Sequence, residues 1–246
     1  MSKQRLFIIL FTISVFFISL FLTMPAQKAY QWGLFSNISM QGVSGRYVSG
    51  KTKQLKVDKT TIAHLTWAWQ PLSLLMGKVS LNWNINDKDI MGKGVLAMNL
   101  LQERVFSDVD LVVNGKVISP YLPKGNSLSG DIELDIELVK FSEKLQTLSL
   151  VAKAESLSIT TALGVFELEN SMLAVMGNEL EGFNLQLTDY KSRDAVDILI
   201  HIKGNKITLS GQLASDSIAA TKLSALLPLI AKKQGRIWQL NWQGSL

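Results

Sequence analysis

Val79-Ser80-Leu81-Asn82-Trp83-Asn84-Ile85-Asn86 alternates apolar and polar residues without a break. Successive side chains on a strand point to opposite faces. The stretch therefore predicts a strand with a dry face (Val79, Leu81, Trp83, Ile85) and a wet face (Ser80 and three Asn). Just upstream, Leu65, Trp67 and Trp69 alternate with His64, Thr66 and Ala68. Pro71 ends that run and Gly77 opens the next, which predicts a hairpin with a longer loop. Downstream, Ile132, Leu134, Ile136 and Leu138 alternate with Asp131, Glu133, Asp135 and Glu137, and Val196, Ile198, Ile200 and Ile202 repeat the pattern. Further short runs lie at about 53–58, 94–100, 104–114, 145–153, 156–161, 165–169, 182–188 and 206–213, punctuated by Gly, Asn, Asp and Pro as turns require. The expected fold class is mainly β, with many antiparallel strands in a curled sheet, a sandwich or an open barrel.

One segment after the first 24 residues has a helical period. In Ala219–Lys233, residues Leu223, Leu226, Leu227 and Ile230 follow i, i+3, i+4, i+7. Asp216 or Ser217 is placed to cap its start and Gly235 to end it, and Pro228 predicts a stop or kink inside it. Arg236–Leu246 then resumes as a strand with Trp238, Leu240 and Trp242 on one face. Gly77, Gly130 and Gly235 each open a strand, the first two in the register G-x-[VI]-x-L-x-[WI]. Glycine followed by alternation is the ordinary signal of a turn leading into a strand, and that reading is preferred here to an internal repeat.

The N-terminus is of a different kind. Leu6–Met24 is 19 residues without a charge. At 1.5 Å per residue it would span roughly 28 Å as a helix, about the thickness of a bilayer's hydrocarbon core. Lys3 and Arg5 precede it, which orients the N-terminus to the cytoplasm. The run is longer than a signal-peptide core, and Met24-Pro25-Ala26 is a poor cleavage site, so a retained anchor is expected rather than a cleaved signal. Lys28, Tyr30 and Trp32 suit a membrane interface. The expected organisation is a cytoplasmic stub (1–5), a transmembrane anchor (6–24), a juxtamembrane linker (25–37) and a periplasmic β-rich domain (38–246) of the inner membrane.

The formal charge is +5, of which Lys3 and Arg5 supply two. The exported part then carries about +3, spread along its length, which argues against nucleic acid as a partner. There is no cysteine, so disulfides and thiol chemistry are excluded. No catalytic, cofactor-binding or metal-ligating constellation is expected. His64 and His201 stand alone in strands, and no nucleophile elbow, phosphate loop or dinucleotide fingerprint is present. The acidic row Asp131, Glu133, Asp135 and Glu137 lies along one strand face, whereas calcium ligands converge from loops; a solvated face opposite lysines is expected. Asp87-Lys88-Asp89 reads as a hairpin tip.

The aromatics have two readings. Trp67, Trp69, Leu81 and Trp83 share a dry face on adjacent strands, and Trp238 and Trp242 add two more near the C-terminus. Core packing is the preferred reading. The alternative is an apolar groove that holds a partner segment or an acyl chain, so lipid is a candidate ligand.

Gly42-Val43-Ser44-Gly45-Arg46-Tyr47-Val48-Ser49-Gly50, followed by Leu65-Thr66-Trp67-Ala68-Trp69-Gln70-Pro71-Leu72-Ser73-Leu74-Leu75-Met76-Gly77, resembles the bacterial type II secretion system protein N family, also called general secretion pathway protein N. The family pattern is an anchor, a G-[VL]-x-G-x-x-x-x-G turn and W-x-[LW]-x-P-x-x-L-L-x-G. The matching structural positions are Gly42, Gly45, Gly50, Trp67, Trp69, Pro71, Leu74, Leu75 and Gly77. Val48 departs from the family, which carries Trp there. The resemblance implies a non-enzymatic inner-membrane accessory of the machine that exports folded proteins, with other inner-membrane secretion proteins as partners. In physical terms, Gly42, Gly45 and Gly50 would supply positive φ or a bulge, and Leu74–Leu75 would tuck the loop under the sheet.

Overall fold

The computed structural model describes residues 12, 13, 16, 19, 23–31, 39–99, 101–161, 164–189, 196–217, 220–221 and 227–245. Most of the expected span Leu6–Met24, all of the stub 1–5 and residues 32–37 of the linker, Trp32 among them, lie outside these. Thr12, Ile13, Phe16, Ser19 and Thr23 are helical, and the Thr23 hydroxyl donates to Ser19 O (2.8 Å). Among the described residues no helix is long and apolar enough to cross a membrane. The chain divides into two compact units, residues 1–87 and 88–246.

The first unit is an antiparallel sheet of β1 (Ser39–Gln41), β2 (Ser44–Arg46), β3 (Ser49–Val57), β4 (Thr60–Gln70) and β5 (Lys78–Asn86). β1 and β2 both lie along one side of β3, and β4 and β5 follow on the other. Gly42, at φ +67°, separates β1 from β2. Buried Thr52 fastens this corner by donating its hydroxyl to Gln41 O (2.7 Å). Residues at the start of the expected linker are docked on this sheet. Pro25 bridges Arg46, Tyr47 N donates to Met24 O (2.8 Å), and Ala26, fully buried, opens a short helix to Gln31.

The second unit contains β6 (Ile90–Asn99), β7 (Arg104–Asn114), β8 (Ser127–Ser129), β9 (Asp131–Phe141), β10 (Leu145–Thr161), β11 (Gly164–Asn178), β12 (Gly182–Asp189), β13 (Val196–Lys203), β14 (Lys206–Ala214), β15 (Ala231–Gln234) and β16 (Ile237–Ser245). They form an open antiparallel sheet in the order β6-β7-β9-β10-β11-β12-β13-β14-β16-β15, with β8 beside β10. The mainly β expectation holds, in the form of sheet rather than sandwich.

Two expectations change. The runs 145–153 and 156–161 are one 17-residue strand. Ala154 and Glu155, between them, fall where β10 changes partner, from β9 up to Lys153 to β8 from Ser158, so the strand continues although the pattern breaks. The expected helix Ala219–Lys233 is also shorter. Residues 222–226 lie outside the described set. Leu227–Ile230 is helical with Pro228 in its first turn, where a missing N–H costs little, but Ala231–Gln234 is strand β15. Backbone pairing with β16 outcompetes the helical period here. Ser217, not Asp216, is the cap: its hydroxyl accepts from Ala220 N (3.1 Å). Gly235, at φ +63°, is the turn residue between β15 and β16 instead of a helix end.

Candidate functional site

The family-like motifs of the first unit converge in one row across the sheet. Gly45 pairs with Gly50, Gly50 with Trp67, and Trp67 with Trp83. Trp69 and Leu81 form the next pair on the same face. Gly45, at φ +89°, supplies the left-handed turn geometry the sequence asks for. Gly50 does not: its φ is not positive, and what it supplies is space, because the Trp67 indole lies against it. That is a correction to the expectation of a bulge or positive φ at Gly50. Trp67 is 8 % exposed and donates Nε1–H to Tyr47 O (2.9 Å), which locks the ring over the glycine.

The turn after β4 contradicts a second expectation. Leu74 and Leu75 do not tuck under the sheet; they are 50 % and 86 % exposed, and Leu72 and Met76 are both 73 % exposed. A polar side chain holds the inward place instead. Pro71–Met76 is a 3₁₀ turn, in which every third residue eclipses. Ser73 takes the inward position. Its hydroxyl donates to Gln70 O (2.7 Å) and accepts from Ser80 N (3.1 Å), while Leu72 and Leu75 stand outside. Gly77, at φ +70°, caps the turn.

In the second unit the register aligns the dry faces of many strands. Val109, Ile136, Leu150, Val175, Leu185, Ile200, Leu209 and Trp242 are consecutive cross-strand partners from β7 to β16. With strands roughly 4.8 Å apart, this row is about 34 Å long. Leu111, Leu134, Ala152, Leu173, Leu187, Ile198, Gly211 and Leu240 form the adjacent row. In the first row Val109 and Val175 are buried, the five residues Ile136, Leu150, Leu185, Ile200 and Leu209 are half-buried, and Trp242 is 40 % exposed. The β14–β16 end is capped: Ala220, Leu227 and Ile230 pack on Leu213, Leu240 and Trp238. Of the sequence-singled aromatic set, Trp67 is buried, and Trp69, Leu81, Trp83 and Trp238 are half-buried. The sequence reading missed these two rows. Alternation gives each strand a face, but only the register joins the faces.

Charge is also less even than the sequence totals suggest. Residues 1–87 hold nine Lys/Arg against two acids, Asp58 and Asp87, a formal +7, so residues 88–246 carry −2 of the chain's +5. The acidic row of β9 is exposed and stays strung along its strand. Glu133 faces Lys153, as expected of a solvated face, whereas Asp135 faces Asp110, which is within 4.0 Å of Lys93. His64 is exposed in a left-handed kink (φ +51°), next to Ala63, whose N–H donates to Asp87 (2.6 Å). His201 Nδ1 meets Asn184 Oδ1 at 2.8 Å. The geometry therefore offers apolar and basic surface rather than a set of converging reactive groups; among the described residues no cluster of potential metal ligands occurs.

A family model described as "Type II secretion system (T2SS), protein N" matches residues 36–238, which covers most of both units. No curated protein matches the chain. No solved structure matches it either.

Proposed function

The chain belongs to the type II secretion system protein N family, and from that premise we propose that it is a non-enzymatic accessory of the secretion machine. In this reading residues 6–24 hold it in the inner membrane, and residues 25–246 work in the periplasm during export of folded proteins across the outer membrane. Its partners are other inner-membrane proteins of the system. The observation that carries the reading is the family match over residues 36–238, which spans the motif row of the first unit and the apolar rows of the second as far as β14.

The terminal strands of the sheets make poor docking edges. β1 and β2 are three residues each, and β15 is four, two of them lysines. Faces and turns are the better candidates for contact. The test is deletion of the gene in its own host. Exported enzymes should then accumulate in the periplasm, and the full chain should restore their release. Unchanged release on deletion would remove the secretion role.

The half-buried rows of the second unit favour a second reading, in which that face takes up an acyl chain or lipid. Lipid retained stoichiometrically by the purified full chain would support it.

A further inference from the structure

The exposed turn Leu72–Met76 has a specific location. Met24 O accepts from Tyr47 N (2.8 Å), and Val48 O accepts from Trp69 N (2.7 Å). Two residues after Trp69 the turn begins. The end of the expected anchor and the apolar turn therefore lie at the same end of the first unit's sheet, two or three strand spacings or about 10–15 Å apart. The opposite end is marked by the β3–β4 turn at Asp58, a nine-residue strand or about 30 Å away.

Acid, though not lysine, is segregated along the same axis, for Lys56 and Lys59 also stand at the far end. The two acids of residues 1–87 sit at the far end, Asp58 in the β3–β4 turn and Asp87 bound to Ala63 N. The near end carries Lys28, Arg46, Lys51 and Lys78, all exposed, and no acid. Exposed leucines at a sheet end that carries lysine and arginine and, within residues 1–87, no acid have the surface chemistry of a segment that lies in a lipid interface.

We infer that the turn Leu72–Met76 is a second membrane contact. It lies among the headgroups and upper acyl chains of a bilayer containing anionic phospholipid, beside the point where the chain leaves its anchor. The anchor fixes the protein to the membrane, and the turn fixes the tilt of the first unit against it. This inference rests on the anchored reading above.

The full chain has no cysteine, so a single introduced thiol can be labelled uniquely. Leu75→Cys, Phe16→Cys and Thr61→Cys each change an exposed position: the turn, the anchor segment and the far end. Each variant is labelled with an environment-sensitive dye and reconstituted into phosphatidylcholine–phosphatidylglycerol vesicles. Quenching by acyl-chain nitroxide lipids is compared with quenching by aqueous iodide. The dye at 75 should be quenched by the nitroxide and show roughly fivefold weaker iodide quenching than the dye at 61, as expected some 5–10 Å inside the headgroup boundary. If 75 is as open to iodide as 61 while 16 is quenched by the nitroxide, the turn does not touch the membrane and the anchor stands. Shielding of 75 from both quenchers means that protein covers the turn, which also overturns the inference. If 16 itself is open to iodide and unquenched by the nitroxide, the anchored reading fails, and this inference with it.

Discussion

Gly50 lies directly opposite Trp67 across β3 and β4, and a Cβ on Gly50 would come within 2.5 Å of Cζ2 of the indole. Two motifs far apart in sequence are thus one contact. Gly50→Ala should destabilise the full chain by about 1–3 kcal/mol, the usual cost of forcing a methyl into a filled space. The urea midpoint measures it. Gly77→Ala meets no neighbour and carries only the left-handed strain at φ +70°, about 1–2 kcal/mol. A harmless Gly50→Ala would show that the indole does not hold this position.

Trp67 and Trp83 are paired, yet their ring N–H groups differ. Trp67 Nε1 donates to Tyr47 O, whereas buried Trp83 Nε1 has no acceptor. Trp67→Phe should therefore cost about 1 kcal/mol more than Trp83→Phe, the net worth of one hydrogen bond. Thermal unfolding of the two variants decides the order; the reverse order would refute the assignment.

Among the described residues neither histidine is seen beside a catalytic partner. The double variant His64→Asn, His201→Gln should accumulate normally and support secretion at close to the parental level. Asn suits the left-handed backbone at position 64. Loss of secretion by a stable, abundant variant would overturn the non-enzymatic reading.

Ile200 sits near the middle of the apolar row and is half-buried. Ile200→Ala should cost about 1–2 kcal/mol, below the 2–5 kcal/mol of closed cores, because part of the side chain is already in water. Native mass spectrometry of the same variant beside the parent reads the lipid alternative. A parent with bound lipid and an Ile200→Ala variant that is stable but empty would favour the groove.

A reporter fused after Leu246 should be active only outside the cytoplasm, with residues 1–24 retained in the mature chain. An N-terminal sequence starting near Gln27 would show a cleaved signal instead.

The strands were legible because alternation is local: Val79–Asn86 predicts β5, and its two faces hold from Leu81 to Asn86, whereas Val79 is exposed and Ser80, bonded through its N–H to Ser73 Oγ, is buried. What the sequence hid is what depends on pairing. The space at Gly50 is set by Trp67, 17 positions away, and no property of Gly50 announces it. Leu74–Leu75 reads as core because two adjacent leucines look buried, whereas the inward place belongs to Ser73, whose hydroxyl has two backbone partners there. The C-terminal helix was overestimated because Ile230 completes a helical period, while the following Ala231–Gln234 has a waiting strand partner in β16.

The incompletely covered rows of β7 to β16 have a calorimetric consequence. The heat-capacity increment of unfolding measures apolar surface newly exposed to water, and the denaturant slope follows the same area. In the second unit, side chains such as Leu185 and Ile200 are already partly wet in the native state. Its unfolding should therefore show an increment below the usual 12–15 cal/mol/K per residue. A smaller increment gives a flatter curve of stability against temperature, so this sheet should lose less of its stability on cooling than a closed barrel of equal length.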